Sequence, residues 1–173
     1  MFSAEEILKL SEKAKNEQGK LKCKTEEATK TALVQPFIAV LGYDIHNIDE
    51  VEPEYTADVA GANDRKVDYA IMREGHPIII IECKQCGAKL DEENKKQLHR
   101  YFVFAKSKIA ILTDGIKYLF FSNAEDDSSM DSEPFMRLNL LNITESDIQE
   151  LAVFHKANFD HSAVIKSAND KKW

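Results

Sequence analysis

The chain has 173 residues, is 43% hydrophobic and 31% charged, and carries a formal net charge of −7. That suits one soluble globular domain with a real core, and none of its apolar runs, residues 77–81 among them, is long enough to span a membrane. Three cysteines, Cys23, Cys83 and Cys86, cannot all pair with each other, and no basic-then-apolar leader follows Met1, so the expected setting is a reducing cytoplasm.

The first predicted element is a helix opened by Ser3 and Glu6 as a capping box and closed at Gly19. A second helix is predicted from Thr25 to Leu41, because Leu33, Val34, Phe37, Ile38 and Leu41 recur at helical spacing and Gly42 follows. Pro36 lies inside it and predicts a kink. The period then changes. Residues 51–57 and 66–72 read as strands, with a turn signal at 61–64, and REGH at 73–76 links the second of them to PIIIIECK as an antiparallel hairpin.

A helix is predicted over 91–106, with Leu98, Tyr101, Phe102 and Ala105 as its buried stripe. Strands follow at 108–114 and 116–122, then an acidic, Ser-rich loop at 124–133, then a strand at 135–141. Thr144 and Asp147 cap a helix running to about Lys156, and a short helix follows near 161–168. The order predicts an α/β domain with a central mixed sheet flanked by helices, its core at about 25–143 and its C-terminal helices at about 144–168.

Net acidity argues against a nucleic-acid partner until it is located. Glu125, Asp126, Asp127, Asp131 and Glu133 sit in the acidic loop, and the rest of the chain carries only −2. Residues 84–108 carry a local +4. Binding depends on the field at a cleft and not on the total, so charge leaves such a partner open.

The run of four isoleucines in PIIIIECK leads without a turn into Glu82 and Lys84. In a strand these two share a face with Ile80, while Ile79, Ile81 and Cys83 point the other way. Asp68, in the preceding strand, reaches the same face if the hairpin forms. Two carboxylates and an ammonium then converge at one end of the sheet. Oxygen-only ligands suit Mg²⁺ or Mn²⁺, with the backbone carbonyl of Cys83 as a further oxygen. Such an ion lowers the pKa of a bound water and stabilises charge developing on phosphorus, and Lys84 beside it can orient or deprotonate the water. Gln97 and Tyr101, four apart on the next helix, share a face. Either they project over this site, or Tyr101 is core and Gln97 a solvated neighbour. The plain alternative for Glu82 and Lys84 is a structural ion pair at a strand end.

Asp68, then Glu82-x-Lys84, then Gln97-x-x-x-Tyr101, resembles the PD-(D/E)xK nuclease superfamily in its QxxxY branch. The closer resemblance is to the N-terminal nuclease domain of type I restriction enzyme restriction subunits and to predicted type IV restriction endonucleases. Glu26, Thr29, Pro36, Leu41 and Gly42 in EEATKTALVQPFIAVLGYDI are similar to that family's leading helix, and RKVDYAI, IIIIECK, QLHRY and AILTDGIKYLFF to its later segments. The resemblance covers about residues 25–122. It implies a restriction-endonuclease-like core and Mg²⁺-dependent cleavage of DNA. It also implies a helix glutamate near the metal, Glu26 by motif position, with Glu27 as the fallback; both also suit the first turn of any helix. The motif's usual Pro is absent, since Val67 precedes Asp68. No GxxxxGK[ST] loop occurs, so the motor of type I subunits is not in these residues. The chain is a stand-alone small nuclease or a piece of a longer protein, and other subunits or domains of a restriction system are implied partners. A nuclease fold kept as a non-catalytic DNA-binding or assembly module is the rival reading.

Other patterns carry less. Cys83 and Cys86 form one CxxC at a strand end, where Cys83 reads as core. The five histidines form no ligand-spaced pair; His99 is a solvated helix residue or a phosphate contact. Tyr118, Phe120 and Phe121 read as core and strand surface.

Overall fold

A computed structural model of the chain describes residues 1–57, 66–124 and 128–171. The turn expected at 61–64 and the acidic cluster Glu125–Asp127 lie outside them.

Six strands form one mixed sheet in chain order: β1 (Val51–Thr56), β2 (Lys66–Arg73), β3 (His76–Cys83), β4 (Ile109–Thr113), β5 (Lys117–Ser122) and β6 (Met136–Asn139). All neighbours are antiparallel except β3 and β4. That parallel pair needs a crossover, which α4 (Glu92–Ala105) supplies. The helix packs on one face over Ala70, Ile80, Ala110, Leu112 and Phe121, using Leu98, Phe102 and Ala105. The opposite face carries Ile79, Ile81 and Cys83 and is covered by α1 (Ala4–Leu21), α2 (Glu26–Thr29), α3 (Gln35–Val40), α5 (Glu145–Ala152) and α6 (His161–Lys171). This α/β arrangement is a restriction-endonuclease-like core. β3 lies inside the sheet with both faces covered, which is why it reads as an unbroken apolar run.

The β2–β3 hairpin closes through Glu74 and Gly75, both at positive φ (52° and 76°). A two-residue turn of this kind matches the right-handed twist of its strands, and glycine takes the second position without strain. The register pairs Tyr69 with Ile81 and Ala70 with Ile80. One step further along, Asp68 comes opposite Glu82.

The helix expected over residues 25–41 is interrupted. Lys30–Val34 form a π-helical turn, in which the Gln35 N–H bonds to the Lys30 carbonyl. Pro36 follows, without an N–H for the carbonyl of Ala32 four residues earlier. Lys13 of α1 fills that gap, its Nζ donating to Ala32 O at 2.7 Å. The helix then ends with Gly42 N–H on Ala39 O and Tyr43 N–H on Ile38 O, a Schellman closure.

Two ends differ from expectation. α1 runs through Gly19 to Leu21, because Leu21 is buried in the core and that burial outweighs a cost of about 1 kcal/mol for a helical glycine. α5 stops at Ala152 and not near Lys156. The chain turns there so that Phe154 enters the core and Lys156 N–H caps the carbonyl of Leu41 at 2.8 Å. The described end of the acidic loop is docked: Met130 is core, and Asp131 is buried, accepting from Ser122 Oγ and Ala124 N–H. Among the described residues, no helix is long and apolar enough to cross a membrane.

Candidate active site

Alternation along β3 turns Glu82 toward the α4 face, and Lys84, just past the strand, follows it there. Lys84 stays in register because its N–H continues the ladder onto Thr113 O at 2.8 Å. Its ammonium lies 3.4 Å from Glu82 Oε1 and donates to Gln97 Oε1 at 3.2 Å. The Gln97 amide in turn donates to the Tyr101 hydroxyl at 3.2 Å. Glu82, Lys84, Gln97 and Tyr101 thus form one polar line from the strand end to the helix. Of the two readings open for Gln97 and Tyr101, the structure has them projecting toward Lys84. Tyr101 is only half-buried.

Asp68 stands on the neighbouring strand and is fully engaged. Its Oδ2 accepts the N–H of Cys83 at 2.7 Å, which ties β2 to the end of β3. Its Oδ1 lies 2.6 Å from Lys30 Nζ. Glu82 is the contrast. It is only 6% exposed, and its Oε2 has no hydrogen-bond partner among the described residues. Burial first, and the charge of Asp68 second, push its carboxyl up to about 7. Lys84 works in the opposite direction and does not cancel them.

Glu26 begins α2 and feels the same field. Its carboxyl is raised by burial and then by Asp68, with Lys84 and Lys30 opposing. Glu27 points elsewhere: it is exposed and pairs with Lys30 at 2.7 Å. The helix is held against the site through Thr29, fully buried, whose Oγ1 accepts the N–H of Cys86 at 3.0 Å. Gly115, in the β4–β5 turn, allows this approach. A Cβ there would lie 2.7 Å from Thr29 Cγ2.

Lys30 is the site residue that sequence reasoning missed. It is buried between Asp68 and Glu27. Burial alone would depress its ammonium, but hydrogen bonds to the two carboxylates outweigh this and raise it. The available signal was its place four residues after Glu26, on the same side of a helix otherwise apolar there.

Cys83 is buried core, with its thiol raised by burial, and Cys86 is buried beside it; all three cysteines are free. His99 lines a groove on the outer side of α4 with Lys96 and Arg100.

Among the described residues, no three His, Cys, Asp or Glu side chains stand ready as a metal cluster. The donor set still fits a small hard cation. It is oxygen-only, and it includes a buried carboxylate oxygen without a partner. A second carboxylate, that of Asp68, is close enough to raise the first.

The family described as type I restriction enzyme R protein N terminus (HSDR_N) matches residues 25–135. That span runs from the cap of α2 to the start of β6 and contains every site residue named above. A chain of the cryo-EM structure of a DrdV–DNA complex is similar in fold, with a TM-score of 0.53 and 16% identity over 86% of this chain and 97% of that one. No curated protein matches the chain.

Proposed function

Because the chain belongs to the family of type I restriction enzyme R protein N termini, we propose that it is a metal-dependent DNA endonuclease of restriction type. Its task would be hydrolysis of phosphodiester bonds in foreign DNA, alone or with other parts of a restriction system. One observation carries the reading: a buried carboxylate, Glu82, keeps an unpartnered oxygen beside Asp68 at one end of the line through Lys84, Gln97 and Tyr101. The DNA in the similar DrdV complex agrees with this choice of substrate.

Glu82 and Asp68 would hold Mg²⁺ or Mn²⁺, with the Cys83 carbonyl and Glu26 as supporting oxygens. When bound, the ion supplies positive charge for the phosphate and acidifies water at neutral pH. Asp68 would exchange the Lys30 ammonium for this ion. Lys84, its ammonium fixed from two sides by Glu82 and by Gln97, would hold the attacking water or a phosphate oxygen. Gln97 orients Lys84 through its carbonyl oxygen, and Tyr101 fixes which way that amide faces. Thr29 and Asp68 both bind backbone N–H groups at the end of β3, so the loop carrying Lys84 is held rigidly.

The rival reading, a nuclease fold that binds DNA without turnover, draws on the Lys30–Asp68 pair, in which an ammonium already occupies a carboxylate oxygen of the proposed cation site. One assay separates the two. Methylated and unmethylated plasmids are incubated with the chain and Mg²⁺ or Mn²⁺, with an EDTA arm and the variant Lys84→Ala. Cleavage that needs the ion and falls roughly a hundredfold or more in Lys84→Ala is expected. Cleavage that survives EDTA would sink the metal-dependent mechanism, and DNA binding without cleavage in either ion would leave the rival.

A further inference from the structure

A second feature lies behind the loop that carries Lys84. A groove of about 690 Å³ runs between the end of α1, residues 87–90, the β4–β5 turn and β6. Lys22, Lys89, Lys117 and Arg137 line it, and all four are exposed. Among its described lining residues the one carboxylate is Asp114, which is consumed internally. Oδ2 accepts Gly87 N–H at 3.2 Å, and Oδ1 accepts the N–H groups of Ile116 and Lys117 at 3.0 and 2.8 Å. Arg137 pairs with Glu133 at 3.3 Å, but both are well solvated, so the pair is weak. The three lysines make no ion pair among the described residues.

This groove shares a wall with the site. The Gln85 amide donates to the carbonyls of Lys22 and Lys24, and Cys86 N–H bonds to Thr29 Oγ1. The α1–α2 junction, which carries Lys22 and leads into Glu26, is thus tied to residues 84–90, which carry Lys84 and Lys89. A chain with net charge −7 that collects four cations in one groove has a local field opposite to its total. The outer groove of α4 is also basic, but less so in effect. There Lys95 pairs with Glu92 at 2.8 Å and Arg100 approaches Glu93 at 3.9 Å.

The geometry points to the Lys22–Lys89–Lys117–Arg137 groove as the seat of the DNA backbone flanking the scissile phosphate. This rests on the nuclease reading for its ligand and assigns that site's substrate a path across the protein. The contacts are to phosphates, so they set affinity and register and carry no sequence preference.

The test measures binding apart from cleavage. Fluorescence anisotropy of a labelled duplex is followed in EDTA over a series of salt concentrations. The samples are the full chain, the triple variant Lys22→Glu/Lys89→Glu/Lys117→Glu, and the matching triple Gln variant. A fourth, Lys95→Glu/Lys96→Glu, reports on the α4 groove. Each phosphate contact contributes about 0.9 to the slope of log affinity against log salt. The triple Glu variant should bind at least about tenfold more weakly, with a slope smaller by about 2 to 3, and the Gln triple should move the same way by less. The α4 variant should lose less than either. The Gln triple, which adds no repulsion, keeps the result readable if the Glu triple fails to fold. Undiminished binding and slope in the triple variants would overturn the inference. So would an equal loss in the α4 variant, or no DNA binding by the unaltered chain. Binding through this groove without cleavage in either Mg²⁺ or Mn²⁺ would uphold the groove and remove the nuclease reading.

Discussion

Lys30 Nζ lies 2.6 Å from Asp68 Oδ1, and both side chains are largely buried, at 10% and 15% exposure. The pair links the helical layer to β2 next to the proposed cation site. Removing Asp68 takes away the buried partner of Lys30 and leaves only the exposed Glu27 to compensate it, at a cost of up to about 3 kcal/mol. Asp68→Ala is therefore expected to lose stability as well as cleavage. Lys30→Met/Asp68→Asn, which removes both charges, should be more stable than Asp68→Ala. Urea denaturation of the variants checks this, and independent, additive effects of Lys30 and Asp68 would contradict it.

Glu82 predicts a pH dependence of stability. Its carboxyl ionises near 4.5 in the unfolded chain and near 7 in the folded one. Between those values the folded state holds a proton that the unfolded state has lost, so this group makes stability fall as pH rises from about 4.5 to 7 and level off above. Glu82→Gln removes the buried charge. It should match the unaltered chain at pH 4 and exceed it at pH 8 by on the order of 1 to 3 kcal/mol, while abolishing cleavage. Adding Mn²⁺ at pH 8 should raise the melting temperature of the unaltered chain and not that of Glu82→Gln. Thermal melts at both pH values read each outcome, and a Glu82→Gln variant less stable than the unaltered chain at pH 8 would refute the claim.

Glu26 and Glu27, adjacent in sequence, are separated by orientation. Glu26 is raised by the field of Asp68, whereas Glu27 is exposed and turned to Lys30. Glu26→Gln should weaken Mn²⁺ binding several-fold and slow cleavage, and Glu27→Gln should change either by less than about threefold. Isothermal titration with Mn²⁺ compares them. Equal losses would mean that the helix dipole and net acidity matter, and not the position of one carboxylate.

The β2–β3 hairpin was legible because REGH carries turn chemistry between two alternating runs, and its register then places Asp68 opposite Glu82. The shared faces of Glu82 with Lys84 and of Gln97 with Tyr101 were legible from strand and helix spacing, whereas spacing left open that the two pairs meet through Lys84 and Gln97. The hairpin and the shared faces are local patterns. Lys30 was not legible in this way, because its partner Asp68 lies 38 residues on and meets it only when helix and sheet dock. The same applies to the ends of α1 and α5. A buried Leu21 carries the helix past Gly19, and the need to bury Phe154 ends the other helix early. The sequence pointed to a kink at Pro36. That the distortion is a π turn, with a lysine from another helix answering the freed carbonyl, depends on packing that no single segment specifies.

Lys13 Nζ donates to Ala32 O at 2.7 Å, in the place of the N–H that Pro36 lacks. A hydrogen bond from a charged group to a half-buried carbonyl contributes about 1 to 2 kcal/mol, so Lys13→Met should lower stability by that order. Lys9→Met, at an exposed pair with Glu5, should change it little. An alanine at position 36 restores the N–H that an α-helical turn aims at the same carbonyl. Pro36→Ala should therefore offset part of the Lys13→Met loss, and the two substitutions should couple in a double-mutant cycle by about 0.5 kcal/mol or more. Additive effects would show that the carbonyl finds water in the variant, and that Lys13 stabilises α1 against the helical layer by its stem alone.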